Sequence, residues 1–181
     1  KFSIDKVCRI QLPVPFSWPE RLGNLKRCLL VGRIPIKDSK KDLVMVNLHM
    51  EAYDNGSGKT AQTNELFKLL EKEKAKGNYV IAGGDFNQTF SSANILKYKG
   101  RKGTWKPGII NIEKYKKNWQ FVMDTVNPSC RSLDRPFKNA DKKSFQYYVI
   151  DGFILSKNIK VKKYKNMNLQ FKNADHNPVL L

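Results

Sequence analysis

Apolar residues recur along this chain in short blocks, and the period inside each block predicts its backbone. From Val7 to Leu12 they alternate loosely with Cys8, Arg9 and Gln11, a strand pattern that stops before Pro13 and Pro15. Arg27 to Ile36 predicts a second strand ending near Pro35, and Leu43 to Leu48 a third that runs out in Asn47-Leu48-His49. At Thr60 to Lys76 the period changes. Leu66, Phe67, Leu69 and Leu70 have helical spacing with Glu and Lys on the other face, and Gly77 supplies a stop. Tyr79 to Ala82 is again a buried-strand pattern. Residues 43 to 87 therefore have the strand, helix, strand order of a crossover unit, which lays its strands parallel and brings the His49 and Asp85 ends to one edge.

Further along, Ser91 to Leu96 predicts a short helix, and Lys97 to Trp119 a long basic surface loop carrying Trp105 and Tyr115. Phe121 to Val126, Tyr147 to Leu155 and Val161 to Leu169 predict strands, with residues 127 to 144 irregular between the first two. Nearer the start, Phe16-Ser17-Trp18-Pro19-Glu20 reads as a rigid aromatic loop whose rings cover a core edge.

Several polar residues sit where these patterns are most apolar. In Tyr79-Val80-Ile81-Ala82-Gly83-Gly84-Asp85-Phe86-Asn87, positions i and i+2 of an extended segment share a face, so Asp85 and Asn87 would address one atom group while Phe86 turns to the core. The glycines leave room for a ligand or another backbone, although Gly-Gly-Asp before Asn is also turn chemistry. Asp151 lies inside the strand from Tyr147 to Leu155 and needs a partner, because an unpaired buried carboxylate is strongly disfavoured. With Asp175 and His176 near the end, the set becomes His49, Asp85, Asn87, Asp151, Asp175 and His176. Such a set suits a hard-oxygen metal site for Mg²⁺, or Mn²⁺ in its place, with acid and base groups beside it. If Asp151 partners His176, it fixes the ring's tautomer and raises its pKa, leaving a cation to face a phosphoryl oxygen.

Composition narrows the partners. The 181 residues are expected to form one domain over 1–181, and 40% hydrophobic residues argue against disorder. A formal charge of +18 favours an anionic partner, nucleic acid, a phospholipid surface or a small phosphoester, or else spreads evenly over the surface. Cys8, Cys28 and Cys130 are odd in number, with no Cys-x-x-Cys and no Cys adjoining either His, which argues against a zinc site, a disulfide scaffold or a cysteine hydrolase. No Gly-x-Ser-x-Gly occurs for a serine hydrolase. No stretch is apolar enough to predict a membrane-spanning segment. The sequence opens at Lys1 without Met, so neither compartment nor export can be read from it, and oligomeric state is equally unreadable. Gly56-Ser57-Gly58-Lys59-Thr60 raises a P-loop nucleotide-binding alternative, against which Tyr53 stands where that motif needs its first glycine.

Asn47-Leu48-His49, Gly83-Gly84-Asp85-Phe86-Asn87, Ile150-Asp151-Gly152-Phe153-Ile154 and Asp175-His176-Asn177-Pro178-Val179 resemble, in order, the motifs of the endonuclease/exonuclease/phosphatase superfamily, which includes deoxyribonuclease I. The resemblance implies a four-layer α/β/β/α sandwich of two packed mixed β-sheets flanked by helices, and metal-assisted hydrolysis of a phosphodiester or phosphomonoester. It implies that His49 contacts phosphate or acts as an acid, that Asp85 orients or deprotonates water, and that Asn87 holds the phosphate or nucleophile. Asp175, with Asp85 and Asn87, would hold the metal, and His176 with Asp151 would stabilise the transition state. The family's Asn-bearing strand and metal-binding Glu, expected upstream of Val7 to Leu12, have no counterpart in the sequence as it stands. The expectation is a domain incomplete at its N-terminal side, weak Mg²⁺ binding and poor turnover. A module of the same fold that binds polyanions without catalysis is the alternative.

Overall fold

The computed structural model describes residues 4–98, 100–138 and 143–181. In chain order the elements are β1 (Lys6–Gln11), β2 (Cys28–Pro35), β3 (Asp42–His49), α1 (Ser57–Ala75), β4 (Tyr79–Asp85), β5 (Gln88–Phe90), β6 (Gly108–Ile110), β7 (Trp119–Val122), β8 (Cys130–Arg131), β9 (Tyr147–Tyr148), β10 (Asp151–Ser156), β11 (Lys165–Asn166) and β12 (Val179–Leu180). One six-stranded mixed sheet has the order β1-β2-β3-β4-β10-β7, and β5-β6, β8-β9 and β11-β12 form three two-stranded ladders. The crossover unit is present: β3 and β4 are parallel, while β1-β2, β2-β3, β4-β10 and β10-β7 are antiparallel. The mixed α/β character follows the expectation, with one large sheet and much smaller companions.

Alternation decides which face is buried. On β3, Val44, Val46 and Leu48 are buried while Met45, Asn47 and His49 are exposed, and Leu29 and Val31 of β2 join the buried set. Leu66, Phe67 and Leu70 of α1 belong to the same cluster, extended by Phe86, Phe90 and Trp119. Phe67 stacks on Tyr115 at 3.5 Å and meets Trp119 edge-on. The predicted basic loop thus contributes core: Trp119 is 1% exposed, and its indole N–H donates to Glu71 Oε1 at 2.6 Å.

Several local expectations are corrected. Trp18 is 74% exposed, so that ring does not cover a core edge, while Phe16 is half-buried ahead of a 3-10 turn at Glu20–Leu22. The Ser91–Leu96 helix is replaced by a turn closed between Ala93 N–H and Phe90 O, with a 3-10 turn at Leu96–Tyr98. The strand expected at Phe121–Val126 ends at Val122, since Asp124 Oδ1 accepts the Val126 N–H and turns the chain. Of Val161–Leu169, only Lys165–Asn166 is paired. The segment expected to be irregular includes 139–142, which lie outside the described residues, and within it Cys130–Arg131 pairs with Tyr147–Tyr148.

The P-loop alternative is corrected too. Asp54 accepts hydrogen bonds from the N–H groups of Gly56, Gly58 and Lys59, and its other oxygen pairs with Lys59 Nζ at 2.7 Å. Those amides and that ammonium are what a phosphate would need at the start of α1, and the protein's own carboxylate occupies them.

Gly84 shows what the paired glycines do. Its φ is +140°, and a Cβ there would sit 2.1 Å from Leu48 O, while a Cβ on Gly83 would strike the Phe153 ring at 2.5 Å. The room is taken by neighbouring strand and ring. Gly84→Ala is expected to destabilise the protein by at least about 2 kcal/mol from backbone strain and overlap together, read as a shift in the urea midpoint at constant slope.

Candidate active site

Strand register builds the base of the site. His49 at the end of β3 is the register partner of Asp85 at the end of β4, and Asp85 is the partner of Asp151 at the start of β10. Three adjacent strands therefore present one row of His, Asp and Asp, on the face opposite the one that Leu48 buries. His49 Nε2 lies 3.3 Å from Asp85 Oδ2. Asn87 joins them by a route different from strand alternation. It sits at φ 49°, and its N–H donates to Asp85 Oδ1 at 2.7 Å, so a turn at the strand end brings it back. Its carboxamide N–H donates to Met50 O, tying the ends of β3 and β4 together, and Phe86 is fully buried as alternation predicted.

His176 enters from far along the chain. Cys130 and His176 form an antiparallel bridge, Arg131 N–H donates to Asp175 O, and Asn177 N–H donates to Ser129 O. Ser129 Oγ also accepts from the Ile150 and Asp151 amides, which explains why the predicted strand Tyr147–Leu155 breaks into β9 and β10. The short segment from 128 to 131 thus holds the 149–151 and 175–177 segments against one another. As a result the His176 Nδ1–H donates to Asp151 Oδ2 at 2.9 Å, and Nε2 lies 3.7 Å from Asp85 Oδ2 and 3.9 Å from Asp175 Oδ2. All six sequence-predicted residues lie within this connected cluster.

Electrostatics separates their protonation. Burial, then the charge of Asp151, pushes Asp85 up to about 7, against the Asn87 N–H, His176 and Arg27. For His176 burial opposes the cation, but the Asp151 hydrogen bond and the Cys130 contact outweigh it and raise the ring to about 11. His49 is lowered, by burial and by the positive charges of Arg27 and His176. The arrangement pairs a carboxyl that titrates near neutrality with an imidazole that is cationic at neutral pH and a predominantly neutral one.

The cluster opens into a cavity of 570 Å³ whose wall also includes Arg27, Tyr53, Lys102, Trp105, Cys130, Arg131 and Leu133. Lys102 and Trp105 come from the basic, aromatic loop that the sequence marks, whereas Arg27, Arg131 and Leu133 carry no signal of their own, and Tyr53 and Cys130 none that points to this cavity. Arg27 is 9% exposed, its Nε lies 3.9 Å from Glu51 Oε2, and that Nε has no hydrogen-bond partner among the described residues. Its signal was weak because it reads as an ordinary residue at a strand start. Trp105 is pinned by its indole N–H to Ala52 O at 2.7 Å and meets Tyr148 edge-on. For a metal, Asp85 and Asp175 place two carboxylate groups within 4 Å of the same imidazole nitrogen. Asp85, Asp151 and His176 form one possible ligand group, and Cys130, Asp175 and His176 another.

No protein-family model matches the chain, and no curated protein sequence does. Solved structures do. The chain is similar to the human Nocturnin catalytic domain with bound sulfate anion (TM-score 0.56, 15% identity, 97% of this chain and 57% of that one). It is similar to truncated TDP2 from Caenorhabditis elegans (0.62, 14%, 98% and 65%). An endonuclease/exonuclease/phosphatase family protein from Bacteroides thetaiotaomicron also matches (0.59, 19%, 99% and 64%). The chain spans about 57–65% of the length of these structures. A nearly complete match of this chain shows that its fold is the one these structures share, that of an endonuclease/exonuclease/phosphatase family protein among them.

Proposed function

We propose that the protein is a metal-dependent phosphoester hydrolase, using Mg²⁺ or Mn²⁺, with Asp85, Asn87, Asp151, His49 and His176 as catalytic residues. The observation that carries this reading is the His176 imidazole held 2.9 Å from Asp151 and 3.7 Å from Asp85 at the base of a cavity walled by Arg27. The donor set fits a hard cation: Asp175 and Asp85 would hold it, with Asn87 beside them, and phosphate or water oxygens would complete its shell. Bound there, the ion would supply Lewis-acid polarisation of the phosphoryl oxygen. Asp85, steadied by the Asn87 N–H, takes the proton of the attacking water. His176, kept cationic and oriented by Asp151, meets the charge that develops on a non-bridging oxygen, and Arg27 offers a second cation. His49, predominantly neutral, contacts the phosphate as a ring N–H donor.

The substrate class is supported by the walls. Arg27, Lys102 and Arg131 suit phosphates, Trp105 and Tyr53 offer ring faces, and the formal charge of +18 favours a polyanion. Related folds include TDP2 from D. rerio complexed with single strand DNA product (TM-score 0.60, 13% identity) and a Bacteroides thetaiotaomicron mannosyl-6-phosphatase (0.58, 19%). A nucleic acid substrate fits the charge, and a phospholipid or small phosphoester fits the apolar part of the wall. Assaying an activated diester, an activated monoester, plasmid DNA, a single-stranded oligonucleotide and sphingomyelin with Mg²⁺ is expected to show hydrolysis that EDTA abolishes. Binding without turnover on all five would replace this reading with the polyanion-binding module.

If single strands are bound through the three wall cations, log Kd should rise with log salt at a slope of about 2, near 0.7 per neutralised phosphate. A flat salt response in a filter-binding or anisotropy titration would exclude nucleic acid as the ligand.

A further inference from the structure

Cys130 is a wall residue that the hydrolase reading leaves unused, yet it touches the centre of that machinery. Its backbone is bridged to His176, and it is 6% exposed. Cys130 Sγ, an Asp175 carboxylate oxygen and a His176 ring nitrogen all lie within 4.8 Å of one another. Sequence spacing argues against a joint Cys and His site, but a backbone bridge brings these two residues, 46 positions apart, side by side.

We infer that Cys130, Asp175 and His176 form a binding site for a thiophilic divalent cation of the Zn²⁺ class, and that its occupation silences the phosphoesterase centre; the silencing rests on the hydrolase reading. A thiolate, an imidazole and a carboxylate with a fourth position open are a zinc donor set, whereas Mg²⁺ takes oxygen and has no use for the sulfur. A tetrahedron with Zn–S near 2.3 Å and Zn–N near 2.0 Å has edges of about 3.5 Å. With the three ligand atoms within 4.8 Å of one another, closing the trio requires movements of at most about 1.3 Å, shared by rotation of the Asp175 and Cys130 side chains. His176 is already prepared: Nδ1–H is committed to Asp151, so Nε2 is the ligating nitrogen and Asp151 is the outer carboxylate that orients the ring. On binding, the S–H and Nε2–H protons pass to solvent, and the sulfur and nitrogen lone pairs go to the metal. The ion then holds the Nε2 and the Asp175 carboxylate that hydrolysis requires, and cannot coexist with their catalytic use.

The test uses protein carrying Cys8→Ser and Cys28→Ser, so that Cys130 is its sole thiol. Co²⁺ should produce a thiolate-to-cobalt charge-transfer band that Zn²⁺ bleaches stoichiometrically. Adding Cys130→Ser should remove the band and weaken Zn²⁺ binding at least about tenfold by calorimetry. Cys130→Ala, checked for native circular dichroism, should do the same. Absence of the band, or a Zn²⁺ affinity unchanged by both substitutions, overturns the site. Zn²⁺ should also inhibit Mg²⁺-supported hydrolysis by the sole-thiol protein, while the Cys130→Ser rate is compared with its own zinc-free rate and should fall at least about tenfold less. Equal inhibition of the two proteins overturns the silencing. Failure to hydrolyse any phosphoester without zinc counts against the hydrolase reading, and the cobalt band still decides the metal site.

Discussion

His176→Ala should lower kcat/KM for a phosphodiester by about 10²- to 10⁴-fold, the range for losing a positioned acid–base or charge-stabilising group. At 25 °C that is about 3–5 kcal/mol of transition-state stabilisation. The expectation follows from position: the ring is held by Asp151 at 2.9 Å and faces Asp85 at 3.7 Å. Asp151→Asn tests orientation separately. The amide retains the volume but removes the charge that keeps the ring cationic, so kcat should fall with little change in KM. Binding of a single-stranded oligonucleotide should survive His176→Ala nearly intact, because the wall cations remain. A His176→Ala protein that turns over at the parental rate would remove His176 from the catalytic set and overturn the mechanism built on it.

The second large effect lies away from the site. Glu73, 1% exposed, receives both guanidinium arms of Arg33 at 2.7 and 2.8 Å, Lys76 Nζ at 2.8 Å and the Asn78 amide at 2.9 Å. The Arg33 hydrogen bonds, opposed by burial and assisted by Lys76 and Asn78, hold its carboxyl at about 2, down from 4.5. Since the folded pKa is depressed, the folded state favours the ionised form, and the resulting stability is present above about pH 4.5. It is lost as pH falls through the interval down to about 2. A shift of this size corresponds to about 3 kcal/mol. Glu73→Gln should therefore unfold about 3 kcal/mol more easily at pH 7, and the gap from the parent should close as pH approaches 2. Urea unfolding at a series of pH values measures it. A gap independent of pH would assign the loss to packing instead of charge.

This ion pair also illustrates what a sequence withholds. Arg33 reads as an ordinary strand residue and Glu73 as one of several charges on the outer side of a helix. Their meeting 40 positions apart is what turns surface charge into a buried anchor between β2 and α1. Arg27 and Cys130 were missed in the same way. Nothing in their immediate neighbours marks them, and they matter because of what lies across the cavity from them. Asn87 was placed in the cluster for an incomplete reason: extended alternation would have put it beside Asp85, whereas a left-handed turn does so.

By itself, the sequence determined the crossover from β3 through α1 to β4, the edge where His49 and Asp85 meet, the burial of Phe86, and the need of Asp151 for a partner. These depend on period, chain reversal and the free energy of a buried charge, all of which are local or nearly so. The tertiary structure alone decided that Asp54 would fill the amide cradle at the start of α1, that the strand around Ile150 would break in two, and that Cys130 would lie against His176. Each of those depends on a hydrogen bond or register between segments the sequence presents separately, where local propensity is nearly neutral and long-range packing selects the outcome.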